Sequence, residues 1–134
     1  MARLDQAQYV NEAVEKQLGF AACVQSGKTL YLSGLVAIDE NMQVVSPGDM
    51  GGQIDKIYDH IEAILGMHQA TLQNVVNEMI FVTDLQALAA AAPVRVARYQ
   101  RVPNCAFPAS TAVQVSALFF PEAMIEVQIT AALD

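Results

Sequence analysis

The sequence has little charge, no tryptophan and no long hydrophobic run. Charged residues make up 16% and apolar residues 54% of its 134 residues. A disordered chain is excluded, because there is ample apolar surface to bury. The most apolar run, Leu85 to Val94, is interrupted by Pro93 and falls short of the roughly 20 residues of a membrane span. Asp5 and Glu12 make the N-terminus unlike a signal peptide. We therefore expect one cytoplasmic domain over residues 1–134, with no membrane partner.

Cationic residues are also scarce. Lysine and arginine number 7 against 14 acidic residues, which gives a net charge of −7. An acidic surface repels phosphate, so nucleic acid is not an expected partner. Arg95, Arg98 and Arg101 follow one another at intervals of three residues on a predicted helix, which favours a solvated face. Alternatively, one of them reaches a ligand site, and Arg101 is nearest in sequence to the loop from Cys105 to Ser110.

Only two cysteines are present, and both are interpreted as thiols because nothing indicates secretion. The alternation around Cys23 places it in the core, and Cys105 is interpreted as an inert loop thiol, since no base for a nucleophile is evident. His60 and His68 are too far apart on a helix to form a metal pair and are expected to be exposed. No metal or nucleotide motif is present, so no cofactor is expected.

The pattern of apolar residues predicts an α+β domain. A short helix is predicted over Leu4–Leu18 and a longer one after Asp49, its N-cap. A third helical segment, Gln86–Arg101, is either kinked at Pro93 or begins near it. The predicted strands are Phe20–Gln25, Thr29–Ser33, Val36–Ile38, Gln43–Val45, Val75–Leu85, Thr111–Leu118 and Met124–Ala132.

This order of elements predicts a mixed sheet with helices on one face. Strand Val75–Leu85 carries apolar groups on both faces, so both faces are expected to be buried. The chain has more apolar surface than a core of this size can take, which predicts an oligomer.

The ordered set of short motifs resembles the Rid proteins (YjgF type), also called the perchloric-acid-soluble or "translation inhibitor" family. The resemblance covers residues 18–132 and leaves residues 1–17 as an N-terminal extension. The matching stretches are Phe20-Ala-Ala-Cys-Val, Gly27, Leu30-Tyr-Leu-Ser-Gly34, Gln53 with the helix of Ile57, Ile61 and Leu65, Asn74-Val-Val, Ile80-Phe-Val-Thr-Asp-Leu85, Phe107-Pro-Ala109, Val113-Gln-Val115, Leu118 and Ile125-Glu-Val127.

The resemblance implies a chorismate-mutase-like protomer, a mixed sheet with two helices on one face, and a homotrimer around a central barrel. Clefts between the subunits would bind a small-molecule metabolite. Deaminating members of the family hydrolyse imines and enamines of 2-amino acids, such as 2-aminoacrylate. In those members an arginine binds the substrate carboxylate through two hydrogen bonds, while a glutamate and backbone carbonyls position the water.

Carried over by position, Glu126 matches the water-positioning glutamate, although an ordinary solvated or salt-bridged carboxylate is the alternative. Gly34 matches the backbone ligand site, and Phe20 stands where many members have tyrosine. Ser110 takes the place of the arginine, and Ala92 that of a common asparagine. The predicted substrate-binding residues are Phe20, Ser33, Gly34, Ser110, Thr111, Ala112, Arg101 and Cys105.

A serine cannot replace a guanidinium charge, so efficient turnover of small 2-imino acids is not expected. Ser110 is interpreted either as a strand residue bonded to backbone or as a neutral hydroxyl donor to an uncharged or larger ligand. One functional hypothesis is a hydrolytic deaminase with a non-standard substrate. The alternative is a non-catalytic trimer that binds a small molecule or a protein. Ribonuclease activity, claimed for some relatives, fits poorly with the negative charge.

Overall fold

The computed structural model describes residues 6–134, so the beginning of the predicted Leu4–Leu18 helix lies outside the described residues. In chain order the elements are β1 (Ala7–Gln8), α1 (Glu12–Leu18), β2 (Cys23–Ser26), β3 (Thr29–Leu32), α2 (Met50–Gly66), a 3-10 turn (Leu72–Asn74), β4 (Val75–Val82), α3 (Leu85–Gln100), β5 (Ala109–Gln114) and β6 (Ile125–Ala132).

These strands form one six-stranded sheet in the order β1-β2-β3-β6-β4-β5. Only β4 and β5 pair in parallel, and the other neighbours are antiparallel. A parallel pair needs a long crossover connection, and α3 supplies it. The mixed sheet and the α+β class predicted from the sequence are confirmed, and α1 is the predicted N-terminal helix, which stands beside the two helices that the family resemblance implies. β5 lies at the edge of the sheet, and β4 is its one neighbour among the described strands.

Helix α2 covers the centre of the sheet. Asp49 begins it as predicted, since its side chain accepts a hydrogen bond from the Gly52 amide at 3.0 Å. Ile54, Ile57 and Ile61 recur at helical spacing and are completely buried. Each such side chain contributes about 1.5–3 kcal/mol of burial free energy. The helix therefore forms because one of its faces belongs to the core.

The two faces of the sheet differ in burial. On β4, Ile80 and Val82 face the helices and are buried. Met79 and Phe81 alternate with them on the other face and are only half-buried. We refer to the face that carries Met79 and Phe81 as the open face. The expectation that both faces of this strand are buried does not hold within residues 6–134, where Met79 and Phe81 keep part of their surface exposed.

Several predicted boundaries are wrong. The N-terminal helix begins only at Glu12, because Asn11 caps it by accepting from the Val14 amide. The predicted hairpin of Val36–Ile38 and Gln43–Val45 is reduced to a single bridge between Ile38 and Val44. The Asp39 carboxylate closes the turn between them by accepting from the Asn41 and Gln43 amides, both at 2.9 Å.

The remaining corrections concern a strand start, a strand end and Pro93. Strand β2 begins at Cys23 instead of Phe20, and β5 ends at Gln114. Helix α3 runs continuously from Leu85 to Gln100 through Pro93, so it does not begin there. Pro93 is exposed, and the hydrogen bond it cannot donate is therefore lost on the solvent side.

Candidate functional site

A cavity of about 870 Å³ opens beside α1 and the segment that follows β3. Four residues predicted from the sequence line it together, although they come from three separate parts of the chain. Two aromatic residues before β6 add to its wall. These six lining residues are Phe20, Ser33, Gly34, Phe119, Phe120 and Glu126. The wall is largely apolar, as in many small-molecule sites, but it also carries charged and polar side chains, namely Glu12, Glu15, Asp39, Glu40, Lys56, His60 and Glu126.

Glu126 is the carboxylate of this lining that the sequence predicts. It lies on β6 opposite Phe81 and therefore on the open face of the sheet. The side chain is half-buried, and burial raises the pKa of Glu126 above its ordinary value. A carboxyl group with a raised pKa releases and takes up protons nearer to neutral pH. Glu126 is therefore suited to exchange a proton with a bound water.

Gly34 packs directly against Glu126. A Cβ atom at position 34 would lie 2.8 Å from the Glu126 Cδ and would overlap the carboxylate. The next residue, Leu35, holds the segment in place by exchanging backbone hydrogen bonds of 2.8 and 3.0 Å with Val127. Only glycine leaves room for the carboxylate at this point. The peptide groups of Gly34 and the carboxylate of Glu126 consequently face the same space.

Phe20 and Ser33 complete this side of the cavity. Ser33 donates its hydroxyl to the Ala21 carbonyl at 2.6 Å, and its amide bonds to the Ala22 carbonyl at 2.9 Å. Its hydroxyl oxygen can still accept a hydrogen bond from a ligand. The Phe20 side chain is 43% exposed, and the residue lines the cavity as an apolar wall. These two residues therefore offer shape and one acceptor, without charge.

The other predicted ligand residues lie at the edge of the sheet and are not part of this cavity. Thr111 is on the open face like Glu126 but two strands away, at about 10 Å across the sheet and about 7 Å along it. Ser110 and Ala112 face the helices instead. Cys105 lies in the preceding loop, half-buried. A single chain does not bring these two groups of residues together.

Ser110 belongs to a buried hydrogen-bond network centred on Glu78. The Glu78 carboxylate is completely buried. Its Oε1 accepts from the Ser110 hydroxyl at 3.0 Å and pairs with the Arg95 guanidinium. Its Oε2 accepts from the hydroxyls of Tyr58 at 2.6 Å and Tyr99 at 2.9 Å. We call these five residues the Glu78 network.

This network corrects two expectations. The Ser110 side chain is neither bonded to backbone nor a free donor. The Glu78 carboxylate can only accept hydrogen bonds, so the Ser110 hydroxyl must donate to it. Arg95 is not on a solvated face. Burial, the largest single cause, would lower the pKa of Arg95, but the charge and hydrogen bond of Glu78 together with Tyr58 and Tyr99 outweigh it, and the pKa is raised. Burial also raises the pKa of both Tyr58 and Tyr99, so both remain neutral donors.

The remaining arginines of α3 pair with α2. Arg98 is buried and contacts three acidic side chains, Asp55, Asp59 and Glu62. Its predicted solvated position is therefore also wrong, since the arginine binds the acidic face of α2. Arg101 is 61% exposed and lies 3.6 Å from Glu62. Arg95, and not Arg101, is thus the cation that the fold places beside Ser110.

The cysteines and His68 do not line the cavity, whereas His60 does. Cys23 is buried as predicted, and burial raises its pKa to about 11. Burial also raises the pKa of Cys105, which keeps its thiol protonated. The expectation of exposed histidines is wrong, because both are half-buried. The His60 ring bonds to the Ile38 carbonyl at 2.9 Å and the His68 ring to Gln8 at 2.6 Å. Within residues 6–134, no three histidine, cysteine or acidic side chains form a potential metal site.

Sequence reasoning missed Glu78 and the aromatic pair Phe119 and Phe120. A signal for Glu78 was present, since it is the one charge in the strand Val75–Val82. Glu78 lies two residues before Ile80 and four before Val82, so the alternation of a strand puts its side chain on the same buried face. Nothing in the sequence indicates Phe119 and Phe120, because a loop brings them to the cavity.

Comparison with known proteins identifies relatives over most of the chain. The family model described as Endoribonuclease L-PSP matches residues 10–133. The RutC family protein UK114 of Drosophila melanogaster is 30% identical over 105 residues, which are 78% of this chain and 72% of the relative. Protein DfrA of Myxococcus xanthus is 34% identical over 98 residues, 73% of this chain and 72% of the relative.

Solved structures share the fold. RidA from an Antarctic Psychrobacter has a TM-score of 0.76 at 26% identity, covering 96% of this chain and 95% of that one. A Mycobacterium tuberculosis member of the YjgF/YER057c/UK114 family has a TM-score of 0.77 at 23% identity, with 95% and 98% coverage. No helix among residues 6–134 is long and apolar enough to cross a membrane. The matched family model, the sequence relatives and the shared fold show that this chain belongs to the Rid/YjgF family.

Proposed function

We propose that this protein hydrolyses an imine or enamine to a carbonyl compound and ammonia. The observation that carries the proposal is the half-buried Glu126 carboxylate, which shares an apolar cavity with the peptide groups of Gly34. Some members of the family deaminate such compounds. The cavity offers what the reaction needs, which is a base of raised pKa and a space with apolar walls.

The proposed reaction uses one water. An enamine first takes a proton from solvent on carbon and becomes an iminium ion, the protonated form of the imine. Glu126 then removes a proton from the water, whose oxygen attacks the iminium carbon to form a neutral carbinolamine. The same carboxyl group passes this proton to nitrogen, the carbon–nitrogen bond breaks and ammonia leaves, while the hydroxyl group gives up its proton to solvent and becomes the carbonyl. Gly34 and Ser33 orient the substrate through their polar atoms, and Phe20 excludes bulk solvent.

A trimer would complete the site. The edge strand β5 is exposed along its whole length. In a homotrimer, Thr111 and its neighbours could meet the Glu126 cavity of an adjacent subunit, which one chain alone does not achieve. The open face adds apolar surface for assembly, since Tyr31 is 52% and Val113 is 38% exposed. Both features support an inter-subunit cleft along the edge strand, to which Thr111 contributes from the open face, Ser110 and Ala112 from the other face, and Cys105 from the preceding loop.

We expect sedimentation equilibrium to give three times the chain mass of 14.5 kDa. Val113→Asp places a carboxylate on the apolar open face and is expected to lower the measured mass, because burying that charge without a partner costs several kcal/mol. Ala89→Asp, on the exposed side of α3, is the matched control and should leave the mass unchanged. A monomer at all concentrations would contradict the proposed assembly.

Gly34→Ala tests whether the cavity is the active site. The added Cβ would displace the Glu126 carboxylate, and a misplacement of about 1 Å lowers activity about a hundredfold. The measurement is ammonia release from freshly generated enamines and imines, with and without a carboxylate. Gly66→Ala is the control, because a Cβ there meets nothing within 4 Å. No catalysed release from any of these compounds would contradict the proposed activity.

A non-catalytic binding protein is the second candidate. The observation in its favour is that both Ser110 and Arg95 already bond to Glu78, so neither offers a free charge to a substrate carboxylate. A ligand that raises the melting temperature but is recovered unchanged would favour this candidate over the hydrolase.

A further inference from the structure

We propose that Glu78 sets the substrate class, so that the site selects an imine or enamine carrying a hydrogen-bond donor such as a carboxamide and rejects the corresponding carboxylate. This inference rests on the proposed function, because it takes Ser110 as part of the ligand-binding cleft. Glu78 itself is a positioning residue, since it is completely buried and acts on a ligand only through Ser110 and Arg95.

The Glu78 carboxylate has no capacity left for a ligand. Its two oxygens accept from Ser110, Tyr58 and Tyr99 and pair with Arg95. A carboxylate has about four acceptor sites, so these four partners occupy it fully. Glu78 therefore serves neither as a base nor as a direct ligand, and its effect lies in what it does to its partners.

The first effect concerns Ser110. Its hydroxyl hydrogen points to Glu78 Oε1 at 3.0 Å, which leaves only oxygen lone pairs for another partner. The residue is exposed at the edge strand, so these lone pairs are accessible. An oxygen lone pair attracts an N–H or O–H group and repels a carboxylate oxygen. Ser110 thus favours a ligand that donates a hydrogen bond.

The second effect concerns Arg95. The fold holds Arg95 beside Ser110, because both bind the same oxygen of Glu78. The guanidinium lies 5.1 Å from the centre of the Tyr99 ring, and its side chain is 18% exposed. Glu78 neutralises the charge of Arg95 and holds its guanidinium group on an acceptor inside the protein. An unpaired arginine could bind a substrate carboxylate through two hydrogen bonds. Because Arg95 is already paired with Glu78, it does not bind the substrate in this way.

Two small compounds can test in the unmodified protein whether the site prefers a carboxamide to a carboxylate. Pyruvamide and pyruvate are carbonyl products that differ only in the amide or carboxylate group. Titration calorimetry is expected to show pyruvamide binding about tenfold more tightly than pyruvate, the difference that one favourable and one repulsive polar contact produce. Equal binding, or tighter binding of pyruvate, would overturn the inference.

Glu78→Gln tests the cause of the preference. The amide keeps the shape of Glu78 and an acceptor for the tyrosines but releases Arg95. Pyruvate affinity is expected to rise about tenfold to a hundredfold through charge-assisted bonds, which reverses the preference. The double variant Glu78→Gln/Arg95→Met is the matched control and should lose this gain. A gain that persists in the double variant would show that Arg95 is not responsible.

Failure of this inference can be told apart from failure of the proposed function. Ser110→Ala is expected to weaken pyruvamide binding about threefold to tenfold, the effect of one hydrogen bond, and to strengthen pyruvate binding slightly, because the repulsive oxygen is removed. If neither probe responds to changes at Ser110 or Glu78 while ammonia release still depends on Gly34, the inference is wrong and the hydrolase proposal stands. The wild-type probe ratio remains decisive even where a Glu78 variant does not fold.

Discussion

Arg95→Met is expected to lower the free energy of unfolding by about 3–5 kcal/mol, because it leaves the buried Glu78 carboxylate without its counter-charge. Glu78 is completely buried and the Arg95 side chain is only 18% exposed, so water cannot replace the lost partner. Methionine keeps most of the apolar volume of the arginine stem. The loss of stability should therefore come from the unpaired charge of Glu78 and not from a cavity. Urea denaturation followed by circular dichroism measures it.

Two variants make this result specific. Arg101→Met removes an exposed arginine at the C-terminal cap of the same helix, 3.6 Å from Glu62, and should cost less than about 1 kcal/mol. Glu78→Gln/Arg95→Met removes both charges and should be more stable than Arg95→Met alone. If Arg95→Met and Arg101→Met proved equally stable, the Glu78 network would not hold the helix against the sheet.

Glu126→Gln is expected to lower the rate of ammonia release about 10²–10⁴-fold, the usual contribution of a general base. The amide retains the size of the carboxylate next to Gly34 but cannot take a proton from water. Substrate binding should change little, because Phe20, Ser33 and Gly34 remain in place. Single-turnover assays, which separate binding from chemistry, measure the effect.

The pH dependence follows from burial. Since burial raises the pKa of Glu126, the wild-type rate should increase with pH through a value above the ordinary glutamate pKa of about 4.3. Glu126→Gln should lack this rise. A carboxyl group with a raised folded pKa contributes stability below its unfolded pKa, and this contribution is lost as pH rises through the folded value. The variant should therefore be at least as stable as wild type at neutral pH.

Glu122→Gln provides the matched control. Glu122 precedes β6 and is exposed, so the same chemical change there should leave both the rate and its pH dependence unaltered. Loss of activity in both variants would indicate a general effect of negative charge. Full activity in Glu126→Gln would remove Glu126 from the mechanism.

The sequence predicts the main elements because their periodicity depends on local spacing. Ile54, Ile57 and Ile61 reveal α2 through their three- and four-residue intervals, and Asp49 marks its start. The alternation of Ile125, Val127 and Ile129 reveals β6 in the same way. The hairpin around Asp39 is predicted wrongly, because whether such short segments form strands depends on neighbouring strands that the local pattern does not identify.

The site is less predictable, because it depends on contacts between distant segments. The pairing of Glu126 with Gly34 follows from the bridge between Leu35 and Val127, which no local pattern encodes. The same holds for Arg95, whose helical spacing with Arg98 resembles a solvated face. Only the packing of α3 against β4 shows that Arg95 meets a buried carboxylate. A lone glutamate within an apolar strand was the available clue to that partner.

The exposed edge strand β5 has a consequence for how the protein must be handled and made. Its outer N–H and C=O groups have no partner within residues 6–134, and all six of its residues are exposed. Such an edge is a template for aberrant pairing with another chain. Dilution or overexpression that leaves newly made chains unassembled should therefore favour aggregation. Rapid association of copies would cover the edge strand and so protect the chain from aggregation.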